Sequence, residues 1–307
     1  MAKTINIEID GKIVPVSNLD KTFWPSPGYS KNDLIQYYSI ISPYIVKYLK
    51  DRPLVFVRYP NGIKGKFFYQ KNAPAAIPDW FNTFEWENSD QTITRFLLVD
   101  ERAELIWLGN QACIEIHPWL SRASSINEPD FVVFDLDPSP DNTFNEVVRT
   151  ALLVRKLLTD LNLKSWVKTS GASGLHVYLP ILNNYSYEEI RVFAEKIAGI
   201  VNSVIPEFTT IERKVDKRGR RIYIDYLQNV RGQTICAPYS VRAVDGASVS
   251  TPLRWEEIED VSPQSFNIKN IQSRLEKIGD IFEPVLNEKQ DIVPAINELG
   301  LAPVLKH

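Results

Sequence analysis

The sequence is short of the residues that staple small folds or hold metals by soft ligands. Of 307 residues only two are cysteine, Cys113 and Cys236, and only three are histidine. Two cysteines so far apart assemble neither a disulfide framework nor a zinc knuckle with paired ligands, so both are expected as buried thiols. No window reaches the run of about 18 apolar residues that a membrane span needs. The opening MAKTINIEID alternates polar and apolar residues where a signal peptide has an unbroken apolar stretch. A folded, cytoplasmic protein without a membrane partner is expected. Internal repeats and low-complexity tracts are absent. So is any general excess of positive charge: the formal net charge of -3 excludes a wholly basic nucleic-acid binder.

What charge there is lies unevenly. Between Ile211 and Arg242 eight basic residues face three acidic ones, a net +5, whereas from Trp255 to His307 ten acidic residues face five basic ones. This distribution suits a polyanion held at one cationic groove, with a solvated charged loop as the plain alternative.

Residues Ile5, Ile7, Ile9 and Ile13, Val14, Val16 flank Asp10-Gly11, which predicts a hairpin closed by a two-residue turn. Ser30 is placed to cap a helix running to about Lys50, and strands are expected at Leu54–Tyr59, Lys66–Tyr69 and Ala112–Ile116, with helical spacing over Glu101–Asn110. From Phe131 the pattern becomes β-α-β-β-α-β: FVVFDLD, a helix over Phe144–Leu161, SWVKT, a glycine turn, HVYLPI, a helix from the Ser186/Glu189 capping box to about Val204, and RIYIDYL. That order predicts a mixed α+β chain whose second half is a ferredoxin-like, split βαβ sheet. A smaller α/β module, about residues 1–125, precedes a sheet module of about 126–254. Residues 255–307 are expected as short helical pieces wrapped on the body.

Asp135 and Asp137 end the apolar run FVVF, and a period of two turns both carboxylates to one side of the strand. Asp225 ends a second strand, RIYID. Three carboxylates on neighbouring strand ends can hold two divalent ions, as polymerases do; a bare D-x-D is more often a capped turn, with Asp137-Pro138 starting a loop. The turn SGASGLH supplies Gly171 and Gly174, which let backbone N–H groups approach phosphate, together with Ser170 and His176 as donors and Lys168 just before. Alone it is also an ordinary hairpin. His117 and His176 both border these motifs.

Taken together, EIHPWLSR (115–122), DLDPSP (135–140), KTSGASGLHVYLPI (168–181), IYIDYLQN (222–229) and APYSVR (237–242) resemble the polymerase domain of bacterial and archaeal end-joining ligases, within the archaeo-eukaryotic primase superfamily. The resemblance runs from about Asn18 to Arg254. It implies the primase-polymerase fold, with an RRM-like catalytic sheet. It implies Asp135, Asp137 and Asp225 as ligands of two Mn²⁺ or Mg²⁺ ions. Ser170 and His176 would then hold the triphosphate beside the glycines and Lys168, Arg218 and Arg242 would neutralise phosphates, and His117 would line the nucleotide pocket near the sugar. NLDKTFWPSPGYSK is similar to the segment with which the family grips the 5′-phosphate of a gapped or recessed DNA end, which assigns Asn18, Lys21 and Lys31 to DNA. KFFYQK places Phe67 and Phe68 to stack on template bases. The implied activity is template-dependent gap and overhang filling in non-homologous end joining, with a preference for NTPs. The chain contains no K-x-D-G, the ligase nucleophile of the family's multidomain members, so a separate ligase and a Ku-like protein are the expected partners. The rivals are a primase-polymerase of replication or damage tolerance, and a non-catalytic DNA-end bridging module.

Overall fold

Asp10 and Gly11 both take positive φ, 51° and 79°, the pair of left-handed conformations that closes a two-residue hairpin. They join β1 (Thr4–Ile9) to β2 (Lys12–Ser17) in unbroken antiparallel register. The computed structural model describes residues 4–301; residues 1–3 and 302–307, the extreme ends of the expected first module and tail, lie outside it. The chain divides into two units. The first comprises residues 1–124, 234–250 and 266–279, the second 125–233, 251–265 and 280–307. The first crossover between the units lies between Ser124 and Ser125. Residues 234–250 and 266–279, assigned by sequence to the sheet module and the tail, fall in the first unit: Thr234 pairs with Trp119, Ala237 bonds Ile116, and residues 266–268 pair with 247–249.

In the first unit, β3 (Thr22–Trp24) and β4 (Tyr29–Ser30) lead into α1 (Lys31–Leu49). Ser30 and Asp33 form a reciprocal capping box at its start. Leu34, Tyr38, Ile41 and Ile45 recur at helical spacing and are fully buried. A five-stranded sheet follows, built from β5 (Leu54–Arg58), β6 (Phe68–Gln70), β7 (Thr83–Glu87), β8 (Ile93–Leu97) and, after α2 (Arg102–Asn110), β9 (Cys113–Pro118). The segment Ala237–Ser250 lies along β9: Ala237 N–H donates to Ile116 O at 3.0 Å, and Ile116 N–H donates to Ser240 Oγ at 2.9 Å. Cys113 and Cys236 are both free and buried, as expected.

The second unit realises the β-α-β-β-α-β order. Its elements are β10 (Phe131–Asp137), α3 (Phe144–Asp160), β11 (Trp166–Thr169), β12 (Leu175–Pro180), α4 (Tyr187–Val204), β13 (Thr209–Thr210), the single turn α5 (Val215–Arg218), β14 (Ile222–Asp225) and β15 (Pro252–Leu253). Across the sheet the order is β13-β14-β10-β12-β11-β15, so the first and last strands of the motif, β10 and β14, are neighbours at its centre. This is the split βαβ arrangement predicted from the pattern. The capping boxes at Thr143/Glu146 and Ser186/Glu189 set where α3 and α4 begin. Among the described residues no helix is long and apolar enough to cross a membrane.

Candidate active site and nucleic-acid contacts

Strand register decides which side chains meet in the second unit. Asp135 on β10 lies directly opposite Asp225 on β14 and, on its other side, opposite His176 on β12; His176 in turn lies opposite Lys168 on β11. Directly paired residues project from the same face of a sheet, so Asp225, Asp135, His176 and Lys168 form one row across four strands. Asp137, two residues after Asp135, joins that face. His176 Nε2 lies 3.3 Å from Asp135 Oδ1, and Lys168 Nζ lies 2.7 Å from His176 Nδ1. An ammonium is a donor only, so Nδ1 accepts and the ring turns an Nε2–H to Asp135.

Two carboxylates directly opposite each other repel, and their surroundings add to the strain. Burial pushes Asp225 above the ordinary carboxylate range, although N–H groups of Leu227 and Gln228 oppose it. Burial likewise pushes Asp137 up against the pull of Arg218, whose Nη1 is 3.3 Å from Asp137 Oδ2 and whose guanidinium lies 3.8 Å from the centre of the Tyr223 ring. Hard oxygen donors crowded in this way suit divalent cations. Among the described residues, however, no three His, Cys, Asp or Glu side chains converge into a ready metal-binding group. The reason is visible: Asp137 is turned to Arg218, and Asp225 to the 3₁₀ turn at Tyr226–Asn229. The donor set fits a divalent cation in type, with Asp137 and Asp225 held by other partners.

Asn229, fully buried, ties the turn that follows Asp225 to β10. Its side-chain amide accepts from Val133 N–H and donates to Val133 O, each at 2.8 Å. It thereby acts as a strand partner for β10 at the position just past the end of β14.

The SGASGLH turn is organised from within. Ser170 Oγ accepts from the N–H groups of Ala172, Ser173 and Gly174 at 2.9–3.2 Å, so the hydroxyl organises the turn. Gly171 has φ of 75°, and a Cβ at Gly174 would sit 2.1 Å from Leu136 O. Gly174 is therefore needed for close approach to the aspartate strand. Lys168, expected at the nucleotide, is fully buried and acts on His176 instead. Sequence alternation missed this because both faces of β11 are covered.

The first unit holds the remaining candidates. His117 and Arg242 meet at a residue that motif reading passed over, Glu115: its Oε2 lies 3.2 Å from His117 Nε2 and its Oε1 3.3 Å from Arg242 Nε. The alternation E-I-H placed Glu115 and His117 on one strand face and was the available signal. In the segment from Asn18 to Lys31, Lys31 N–H donates to Lys21 O at 2.8 Å and Lys21 N–H to Asn18 O at 3.1 Å, which brings the two lysine backbones side by side; Asn18 is itself at φ 54°. Lys31 Nζ, nearly buried, donates to Ser17 O and Asn110 Oδ1 at 2.6 and 2.7 Å, while exposed Lys21 reaches Asn61 Oδ1 at 2.6 Å. Burial, then the charges of Lys21 and Arg58, push Lys31 from the ordinary lysine value down to about 8. Phe67 and Phe68 are both more than half exposed on and beside the short strand β6, and so is Tyr69 at 69%. Phe67 stacks on Tyr59 with ring centres 5.5 Å apart. Tyr59 and Tyr69 extend the aromatic surface beyond the two residues read from sequence.

The sequence pattern of the LigD primase-polymerase domain matches residues 30–282. The chain belongs to the LigD primase-polymerase family. It is 33% identical over 277 residues to the bifunctional non-homologous end joining protein LigD of Bacillus subtilis, covering 90% of this chain and 44% of that protein. With the multifunctional LigD of Mycolicibacterium smegmatis it shares 30% identity over 274 residues, 89% of this chain and 36% of the relative. The chain thus spans less than half the length of these LigD relatives. Among solved structures, the polymerase domain of Mycobacterium tuberculosis ligase D in complex with DNA superposes with a TM-score of 0.83 at 26% identity, covering 90% of this chain and 98% of that one. The mixed α/β fold is that of the LigD polymerase domain.

Proposed function

We propose that this protein is a template-directed nucleotidyl transferase that extends a DNA 3′ end, filling short gaps and overhangs at double-strand breaks in end joining, with NTPs preferred to dNTPs. The observation that carries the reading is the cross-strand row Asp225, Asp135, His176, Lys168, with Asp137 beside it. Bound at Asp135, Asp137 and Asp225, two divalent cations, Mn²⁺ or Mg²⁺, would activate the primer hydroxyl and offset the charge of the triphosphate. Lys168 and His176 hold Asp135 in one orientation. Arg218, held at the site by Tyr223 and by bonds to Glu212 O and Arg213 O, would turn its Nη1 from Asp137 to the phosphates. Ser170 offers its hydroxyl proton to the triphosphate, beside Gly171 and Gly174.

Family membership and the DNA bound to the mycobacterial relative support assigning Lys21, Lys31 and Asn18 to a 5′-phosphate, with Lys31 contributing the N–H not used on Ser17 and Asn110. Phe67, Phe68 and Tyr69 offer exposed rings to template bases. His117 and Arg242 are assigned to the nucleotide, near its sugar and phosphates. End joining further implies a Ku-like end-binding protein and a ligase activity as partners.

Extension of a 5′-phosphorylated gapped duplex with each NTP and dNTP, in Mn²⁺ and in Mg²⁺, tests the reading. Wild type should fill the gap, and Asp225→Ala should lose at least about 100-fold in rate. Equal extension by both proteins, or none with either metal, overturns it.

A further inference from the structure

We infer that Glu115 is a positioning residue that sets the hydrogen-bonding state of His117 and the direction of Arg242 together. The inference rests on the assignment of those two residues to the incoming nucleotide. Glu115 sits on β9, two residues before His117, and only 7% of it is exposed. A buried carboxylate needs partners for both oxygens, and this one has them: Oε2 meets His117 Nε2 at 3.2 Å, while Oε1 meets Arg242 Nε at 3.3 Å and accepts from Ala243 N–H at 3.0 Å.

Three consequences follow from chemistry alone. Surrounded by donors, Glu115 stays a carboxylate and only accepts, so the His117 nitrogen facing it must carry the proton. The tautomer that His117 presents to a ligand is thus chosen by Glu115. Arg242 is the second dependant. Its guanidinium lies against Glu115 and is carried on the segment that Ala237, Ser240 and Ala243 tie to β9, so its direction is set before any phosphate arrives. The third consequence is coupling. One carboxylate serves both side chains, so a change at Glu115 disturbs the histidine and the arginine at once, and neither can compensate for the other.

Glu115→Gln keeps the shape but presents an amide that no longer imposes a donor on His117 or a counter-charge on Arg242. The expected result is a KM for the incoming nucleotide raised by at least about tenfold, a smaller change in kcat, and unchanged affinity for a 5′-phosphorylated duplex without nucleotide. The effect should vanish in a protein already carrying His117→Ala and Arg242→Ala, because a residue acting through others is silent once they are gone. A Glu115→Gln effect that persists in that background, or a KM left at the wild-type value, overturns the inference. If instead His117→Ala and Arg242→Ala themselves leave KM unchanged, the nucleotide assignment fails rather than the role of Glu115. One further measurement needs no substitution at Glu115. In the wild-type protein, ¹⁵N NMR of the three histidines, with His117 assigned through His117→Asn, should find Nε2 of His117 protonated at neutral pH; an unprotonated Nε2 overturns the inference.

Discussion

Lys31 carries two demands that pull against each other. Its ammonium is nearly buried, bonded to Ser17 O and Asn110 Oδ1, and stands near Lys21 and Arg58, so its pKa falls from the ordinary lysine value to about 8. A lysine with a lowered folded pKa binds fewer protons than the unfolded chain between about pH 8 and 10.5. The cost of burying its charge is therefore present below about pH 8 and is relieved as pH rises through that window. Binding of a 5′-phosphate has the opposite sign, because the phosphate dianion favours the ammonium. The advantage of a 5′-phosphorylated over an unphosphorylated gapped duplex should shrink as pH rises from 7 to 9, with net proton uptake on binding above pH 8. Titration calorimetry in buffers of different ionisation enthalpy measures that uptake. In Lys31→Ala the uptake should disappear; uptake that survives the substitution would place the titrating group elsewhere.

At the level of elements, the central question is what holds β14 and β10 in the register that opposes Asp225 to Asp135. The direct pairing covers only Asp135, Leu136 and Asp137. Beyond it, Asn229 supplies the missing strand edge by bonding both backbone groups of Val133. Asn229→Ala strips partners from a buried N–H and a buried C=O and should cost about 2–4 kcal/mol, read as a lowered Tm, with a loss of gap filling beyond what the lowered stability explains. Asn229→Asp, which turns an acceptor-only carboxylate on Val133 O and Tyr226 O in a fully buried site, should cost at least as much. Much of this architecture was legible in the residues. Asp10-Gly11 announced its hairpin, Ser186 and Glu189 announced α4, and the alternation in FVVFDLD put Asp135 and Asp137 on one face. Other features were hidden for physical reasons. The β7 and β8 hairpin turns through Gln91 at φ 65°, a left-handed residue that is not glycine. The sequence reads Lys168 as a nucleotide contact, and its burial is hidden because cover on both faces of β11 leaves no alternation to read. Glu115 and Asn229 were passed over because a positioning residue is defined by partners far along the chain, Arg242 for one and Val133 for the other.

At the scale of the whole molecule, a net charge of -3 repels a polyanion, so any binding of DNA has to be won locally. The local field is there. Around α5, Arg213, Lys214, Lys217 and Arg220 are exposed, whereas Arg218 is drawn inward to Asp137 and Arg221 bonds the carbonyls of Lys217 and Arg218. If a duplex binds along this stretch, the first four are the cations that can release its counterions. Each phosphate contact lowers the slope of log affinity against log salt by about 0.9 on double-stranded DNA. Replacing Lys214 and Lys217 together by glutamine should thus flatten the slope by about 2 units if both touch phosphate. Affinity at low salt should fall and affinity at high salt change little, with the sequence of the duplex immaterial. The same measurement on Lys21→Gln should lose its effect when the 5′-phosphate is removed, because that lysine is assigned to one phosphate rather than to the backbone at large. A slope that does not move in the double variant would assign the basic stretch to solvent, and the affinity for DNA to the phosphate-end contacts and exposed rings of the first unit.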